Sequence, residues 1–146
     1  VDALGEAGFA VVARRRRIPH TGVTVDLVAT DASGASWIFD VPGPFTSRRG
    51  GLARSDVVWR ALGRAGAVAG RGRGAAPLVL LSTGLPPPAS DGDLALRAAG
   101  PAVVFDVVDL LADADRARLA AYGRGGAISR PRPGFWTTAD LDVLFS

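Results

Sequence analysis

The stretch from Val23 to Val41 constrains the fold more than any other part of the chain. Val23, Val25, Leu27 and Ala29 alternate with Thr24, Asp26, Val28 and Thr30, so a strand here presents the two sets on opposite faces. Asp31-Ala32-Ser33-Gly34 follows, a turn sequence with glycine where a left-handed residue is needed. Ser36 to Val41 then reads as a second strand, rich in aromatic and β-branched residues and stopped by Pro42-Gly43-Pro44. Two such runs across so short a turn predict an antiparallel hairpin, and a lone hairpin is not stable until its apolar face is covered.

The flanking sequence supplies the cover. Residues 2–8 read as the end of a short helix closed by Gly8, and Phe9 to Ile18 as a strand. In that strand Arg14 and Arg16 point to one face, Arg15 and Arg17 to the other. Pro19-His20-Thr21-Gly22 is a turn. Arg54 to about Val68 reads as a helix, with Val58, Leu62, Ala65 and Ala69 at helical spacing and Asp56, Arg60 and Arg64 as a polar row. Pro77 to Leu81 is an unbroken apolar run, the mark of a strand buried on both faces. Residues 90–99 predict a helix, 102–108 a strand and 109–122 a helix. The resulting order, α-β-β-β-α-β-α-β-α, predicts an α/β fold with a mixed sheet of about five strands flanked by helices. Residues 1–129 make up this domain. Residues 130–146 read as a Pro-rich linker, Arg130 to Gly134, and then a short helix or an arm that docks elsewhere.

At 146 residues one domain is expected, with enough chain for a real core. There is no Cys, which excludes disulfides, Cys-ligated zinc, iron–sulfur clusters and a thiol nucleophile. All 17 Lys+Arg positions are Arg, so a Walker A lysine and a Schiff-base lysine are excluded too. The chain starts at Val1 and has no Met, which reads as a domain cut from a longer protein or as a processed product. No apolar run reaches the ~18 residues of a membrane span, and a cytoplasmic location is expected.

The charge is arranged in blocks. Arg14-Arg15-Arg16-Arg17 is one, Arg48-Arg49 with Arg54 a second, and Arg71-Gly72-Arg73 a third. With a net charge of +3 and a pI near 10.9, clustered arginine is the footprint of a nucleic-acid partner. DNA is the expected partner, with Arg14, Arg16, Arg48, Arg49, Arg54, Arg71 and Arg73 on its phosphates. Gly70 to Ala75 fits G-x-G-x-x-A, but it follows a helix and precedes a strand, the reverse of a dinucleotide site. His20, the only histidine, reads as a turn residue, and no Gly-x-Ser-x-Gly accompanies it. Trp37, Phe39 and Trp59 read as core, and Trp136 as a docking anchor.

Asp26 and Asp40 stand out because each interrupts an apolar strand of the hairpin. With a three-residue loop, Ala32-Ser33-Gly34, they face each other across the ladder with Cβ atoms ~4.5–5.5 Å apart. A four-residue loop makes them diagonal, and a two-residue loop puts them on opposite faces. Facing carboxylates repel, and a hard divalent cation such as Mg²⁺ relieves the conflict. The bland alternative is that Asp26 is a hairpin residue and Asp40 caps the turn at Pro42-Gly43.

A helix, a strand, a hairpin with an acid on each strand, and a helix after the second acid: this order resembles the PD-(D/E)xK, or restriction-endonuclease-like, superfamily. Val25 to Ala29 followed by Trp37 to Pro42 is similar to its core hairpin, and the run from Phe39 through Trp59 resembles a bacterial restriction-type domain group. The resemblance implies a restriction-endonuclease-like fold and a metal-dependent DNA endonuclease of a restriction or DNA-processing system, hydrolysing phosphodiester bonds. It implies Asp26 and Asp40 as ligands of Mg²⁺ and Glu6 as an assisting acid. The family's lysine falls two residues after the second acid, where this chain has Pro42. Arg60 on the following helix, or Arg48 or Arg54 in the loop, is the expected substitute. The alternatives are a catalytically inactive nuclease-like module that binds DNA or a protein partner, and an assembly domain whose Phe135-Trp136 arm docks on another subunit. A homodimer, or contact with other domains of a longer parent chain, is compatible with each.

Overall fold

A computed structural model of the chain describes residues 2–43, 51–71, 76–126 and 128–146. Its five strands are β1 (Ala10–Ile18), β2 (Val23–Thr30), β3 (Ser36–Asp40), β4 (Leu78–Ser82) and β5 (Asp106–Asp109). The helices are α1 (Asp2–Glu6), α2 (Ser55–Arg71), α3 (Asp91–Ala99), α4 (Asp113–Gly123) and α5 (Thr138–Leu144), with a 3-10 turn at Gly51–Ala53. The strands lie side by side in chain order. β1, β2 and β3 are antiparallel neighbours, while β4 and β5 run parallel to β3. This is the α/β fold with a five-stranded mixed sheet that the apolar pattern predicts.

The parallel strands carry apolar residues on both faces because both faces are covered. Ile38, Leu78, Leu80 and Val107 pack with Val58, Ala61, Ala65 and Val68 of α2, Leu96 of α3 and Leu141 of α5. Trp37, Phe39, Val79, Leu81 and Val108 pack with Leu4 of α1 and with Leu119 and Tyr122 of α4. β1 is an edge strand, half-buried where Val11 and Ile18 pack on the core, and all four of its consecutive arginines are exposed. Charge along an open edge also discourages pairing with another sheet.

The helix ends follow local chemistry. Ser90 caps α3 by accepting from the Asp93 N–H, and Thr137 and Asp140 form a reciprocal capping box at α5. Asp56 in the first turn of α2 and Arg71 in the last complement the helix dipole.

Three expectations need correction. The fifth strand begins at Asp106, since residues 101–103 form a turn in which Val103 and Val104 donate to the Gly100 carbonyl. α4 begins at Asp113, because Asp109 Oδ1 accepts the Leu111 N–H and holds the chain in a turn. Trp59 lies on the outer side of α2 and is 56 % exposed, outside the core. The arm also has a definite seat. Trp136 is 1 % exposed in the α2-side core and donates its indole N–H to the Phe105 carbonyl at 2.9 Å. Arg97 covers the Phe135 ring at 4.3 Å and donates to its carbonyl. The anchor therefore docks on its own domain.

Candidate functional site

Leu27 pairs with Phe39, Val28 with Ile38, Ala29 with Trp37 and Thr30 with Ser36, so paired numbers sum to 66 throughout. The turn is the three-residue loop: Asp31 N–H donates to the Ala35 carbonyl at 2.9 Å, and Gly34 takes φ +84°. Asp31 fixes this loop. Its carboxylate accepts from Ser33, Ala35 and the Trp37 indole. Burial alone would raise its pKa, but these hydrogen bonds outweigh burial and hold it below the ordinary range.

That register carries Asp26 and Asp40 to the same rung, just past the last paired residues. There the carboxylates take over from the backbone ladder. Asp26 N–H donates to Asp40 Oδ1 at 2.9 Å, and Val41 N–H donates to Asp26 Oδ2 at 2.7 Å. Both acids point to the face covered by α2, and α2 answers with Arg64. Its Nε donates to Asp40 Oδ2 at 2.9 Å and its Nη2 to Asp40 Oδ1 at 3.2 Å, a fork-to-fork pair. Nη2 also donates to the Thr24 carbonyl, so Arg64 straps the helix to both strands of the hairpin. Burial raises the pKa of Asp26, with the Asp40 charge adding to it, against the lowering effects of Val41 N–H and Arg64. Asp40 keeps the Arg64 guanidinium more firmly protonated.

The pair sits in a cleft of about 250 Å³ lined by Arg15, Thr24, Asp26, Asp40, Arg60 and Arg64, with Val41, Pro42 and Gly43 as its floor and rim. The cleft opens at the carboxyl end of β3, where open α/β sheets commonly bind ligands. Gly43 is required there: it takes φ +91°, and a Cβ on it would lie 2.7 Å from the Gly51 Cα. Arg15 lies between Arg14, paired with Leu27, and Arg16, paired with Val25, so it faces Asp26 across β1 and β2. Its φ of +49° is unusual for a non-glycine residue in a strand. Three arginines against two aspartates leave the cleft with a net positive charge.

The predicted residues divide accordingly. Asp26, Asp40 and Arg60 line one cleft. Glu6 does not join them: it is exposed on α1, whose Leu4 packs on the opposite side of the sheet. Arg14 and Arg16 are exposed on β1 and are not among the residues that line the cleft, and Arg71 is exposed at the end of α2. Arg54 is exposed and ion-paired with Asp56. Arg48, Arg49 and Arg73 lie outside the described residues. His20 is an exposed turn residue with φ +65°. Sequence reasoning missed Arg64 and Arg15. Arg64 was in view as part of the polar row on α2, one turn beyond Arg60, but the choice between them depends on where the helix crosses the hairpin.

A second Asp–Arg pair lies on the other side of the sheet. Arg118 of α4 donates through Nε to Asp106 Oδ2 at 2.8 Å, and both side chains are almost wholly buried. Tyr122 donates its hydroxyl to Asp106 at 2.6 Å and accepts the Arg132 N–H, and Asp115 completes the arginine's shell. Gly134 packs against the guanidinium; a Cβ there would come within 2.1 Å of Arg118 Nη1.

No family model, no curated protein and no solved structure matches the chain. Among the described residues no group of three or more His, Cys, Asp or Glu side chains comes together as a metal-ligand set. The fit of Mg²⁺ to the acid pair therefore rests on the two aspartates. Both oxygens of Asp40 already accept from Arg64, and one also accepts from Asp26 N–H. A divalent ion sharing that carboxylate would meet a fixed positive charge at hydrogen-bond distance. The arrangement does not fit a cation shared by both acids.

Proposed function

We propose that this domain binds the phosphate backbone of DNA as a nuclease-like module, without hydrolysing it. The observation that carries the proposal is the cleft itself. Arg15 from an edge strand and Arg60 and Arg64 from α2 converge on it, and the exposed Arg14, Arg16 and Arg17 add positive charge to the same strand. Arginine forks match phosphate oxygens, and clustered positive charge gives sequence-independent affinity. The order of elements on which the family resemblance rests, helix, strand, acid-bearing hairpin and helix, supports the nuclease-like part of the reading.

Binding rather than hydrolysis is favoured by what the acids do. Each accepts a backbone N–H where the hairpin ladder stops, and Asp40 is neutralised by Arg64. Pro42 offers no side-chain proton acceptor, and an arginine stays protonated. In this reading the aspartates hold the fork of the hairpin and orient Arg64, while Arg15 and Arg60 meet phosphate.

Gel-shift titration of a DNA duplex over a range of salt concentrations tests the reading. Affinity is expected to fall linearly with salt on logarithmic axes and to weaken in Arg15→Ala and Arg60→Ala. It is expected to survive Asp26→Asn, and plasmid incubated with Mg²⁺ is expected to stay intact. Absence of salt-sensitive affinity removes the binding proposal. Plasmid cleavage lost in Asp40→Ala restores the endonuclease.

A further inference from the structure

Two carboxylates on one rung of a hairpin carry a charge problem that a divalent cation ordinarily solves. Here the solution is supplied by the chain. Arg64 reaches from α2 to grip both oxygens of Asp40 and, through the same Nη2, the carbonyl of Thr24 on the neighbouring strand. A guanidinium is planar, permanently charged and hydrogen-bonded in fixed directions. It thus offers the hairpin both parts of what an ion would offer: positive charge against the acids and a rigid tie between the strands.

We infer that the Arg64 guanidinium is a resident cation that closes the Asp26–Asp40 pair to divalent metals, and that removing its charge opens a divalent-cation site there. Arg64 is favourably placed for this role. Its side chain is 35 % exposed while Asp40 is 5 % exposed, so the arginine plugs the acid from the solvent side, the side from which an ion would approach. Asp26 lies on the same rung, with its Oδ2 held by the Val41 N–H and Asp40 Oδ1 held by the Asp26 N–H, so each carboxylate keeps a backbone anchor when Arg64 is altered. Arg60 and Arg15 line the same cleft, and among the described residues the ion pair to Asp40 is made by Arg64.

This inference is independent of the DNA-binding proposal, and its test contains no DNA. The probe is Mn²⁺ alone, titrated into the 146-residue chain and followed by the paramagnetic resonance of the free ion. The wild-type chain is expected to show no Asp26-dependent binding tighter than about 1 mM, the weak end of carboxylate sites. Arg64→Gln keeps a hydrogen-bond donor and removes the charge. It is expected to bind roughly thirtyfold more tightly, the effect of lifting one unit charge from a divalent ion about 4 Å away in water. The gain is expected to vanish in Arg64→Gln/Asp40→Asn, and Arg64→Lys, which keeps the charge, is expected to stay closed. Wild-type binding on the order of 10 µM that disappears in Asp26→Asn overturns the inference, whether or not Arg64→Gln folds. A folded Arg64→Gln that gains no Mn²⁺ affinity overturns it equally.

Discussion

Two Asp–Arg pairs made of the same groups sit on opposite sides of one sheet and do different work. Asp106–Arg118 is sealed: both partners are almost wholly buried, and Tyr122, Asp115 and the Val107 carbonyl use the remaining donors and acceptors. It ties α4 and the chain near Arg132 and Gly134 to β5. Asp40–Arg64 is half-open, with a second acid beside it and two more arginines on the cleft wall. A sealed pair can only hold structure together. An open one has capacity left for a ligand.

That contrast can be broken experimentally, and the largest effect belongs to the sealed pair. Arg118→Ala leaves the buried Asp106 carboxyl, whose pKa burial already raises, without its cation, and the loss is expected to be about 3–5 kcal/mol in urea unfolding. For a chain of this size that corresponds to roughly 10 °C or more in melting temperature. DNA affinity of whatever remains folded is expected to match wild type. Arg64→Ala exposes Asp40 to a wet cleft, so a smaller loss of about 1–3 kcal/mol is expected, together with weaker DNA binding. Equal losses for the two variants would erase the distinction.

The acids sharpen it through pH. Burial and the charge of Asp40 raise the Asp26 pKa in the fold, so the folded state holds that proton to higher pH than the unfolded chain does. Ionised Asp26 therefore weighs against folding at neutral pH. Asp26→Asn, whose amide oxygen keeps the Val41 N–H bond, is expected to raise the melting temperature slightly at pH 7. The gain should fade as pH falls through the raised folded-state value and be gone once the ordinary carboxylate range is reached. Asp31 is the opposite case. Its folded pKa is depressed, so its stabilisation is present above the ordinary range and is lost as pH falls through the depressed value. Asp31→Asn is expected to lower the melting temperature at pH 7, with the difference shrinking in acid. The smallest stability effect is expected for Arg14→Ala/Arg16→Ala, within ~0.5 kcal/mol because both are exposed. Its signature is instead a salt slope of DNA binding shallower by about two.

The sheet was legible because its signals are local. Alternation in Val23 to Thr30, Gly34 in the turn and the unbroken run at Leu78 to Leu81 each reflect a single strand and its two faces. The rung shared by Asp26 and Asp40 followed from loop length alone. The missing parts depend on how elements cross. Whether Arg60 or Arg64 meets Asp40 depends on where along its axis the helix crosses the hairpin, because the two lie one turn apart on the same face. Arg15 reaches the cleft from an irregular edge strand with a register shift between Val11 and Ala13, which strict alternation does not anticipate. The Asp106–Arg118–Tyr122 cluster joins residues of β5 and α4 that are ordinary in sequence. Trp136 looked like an anchor for another body because a Pro-rich linker precedes it, yet its partner is the Phe105 carbonyl of the same domain.

The central claim is that the cleft is an arginine-built phosphate site in which the acids need no metal. Fluorescence anisotropy of a labelled DNA duplex, titrated with the wild-type chain in EDTA and in Mg²⁺ at matched ionic strength, tests it most directly. The account predicts the same affinity in both buffers and an intact duplex at the end. Mg²⁺-dependent binding, or cleavage that Asp40→Asn abolishes, would contradict it.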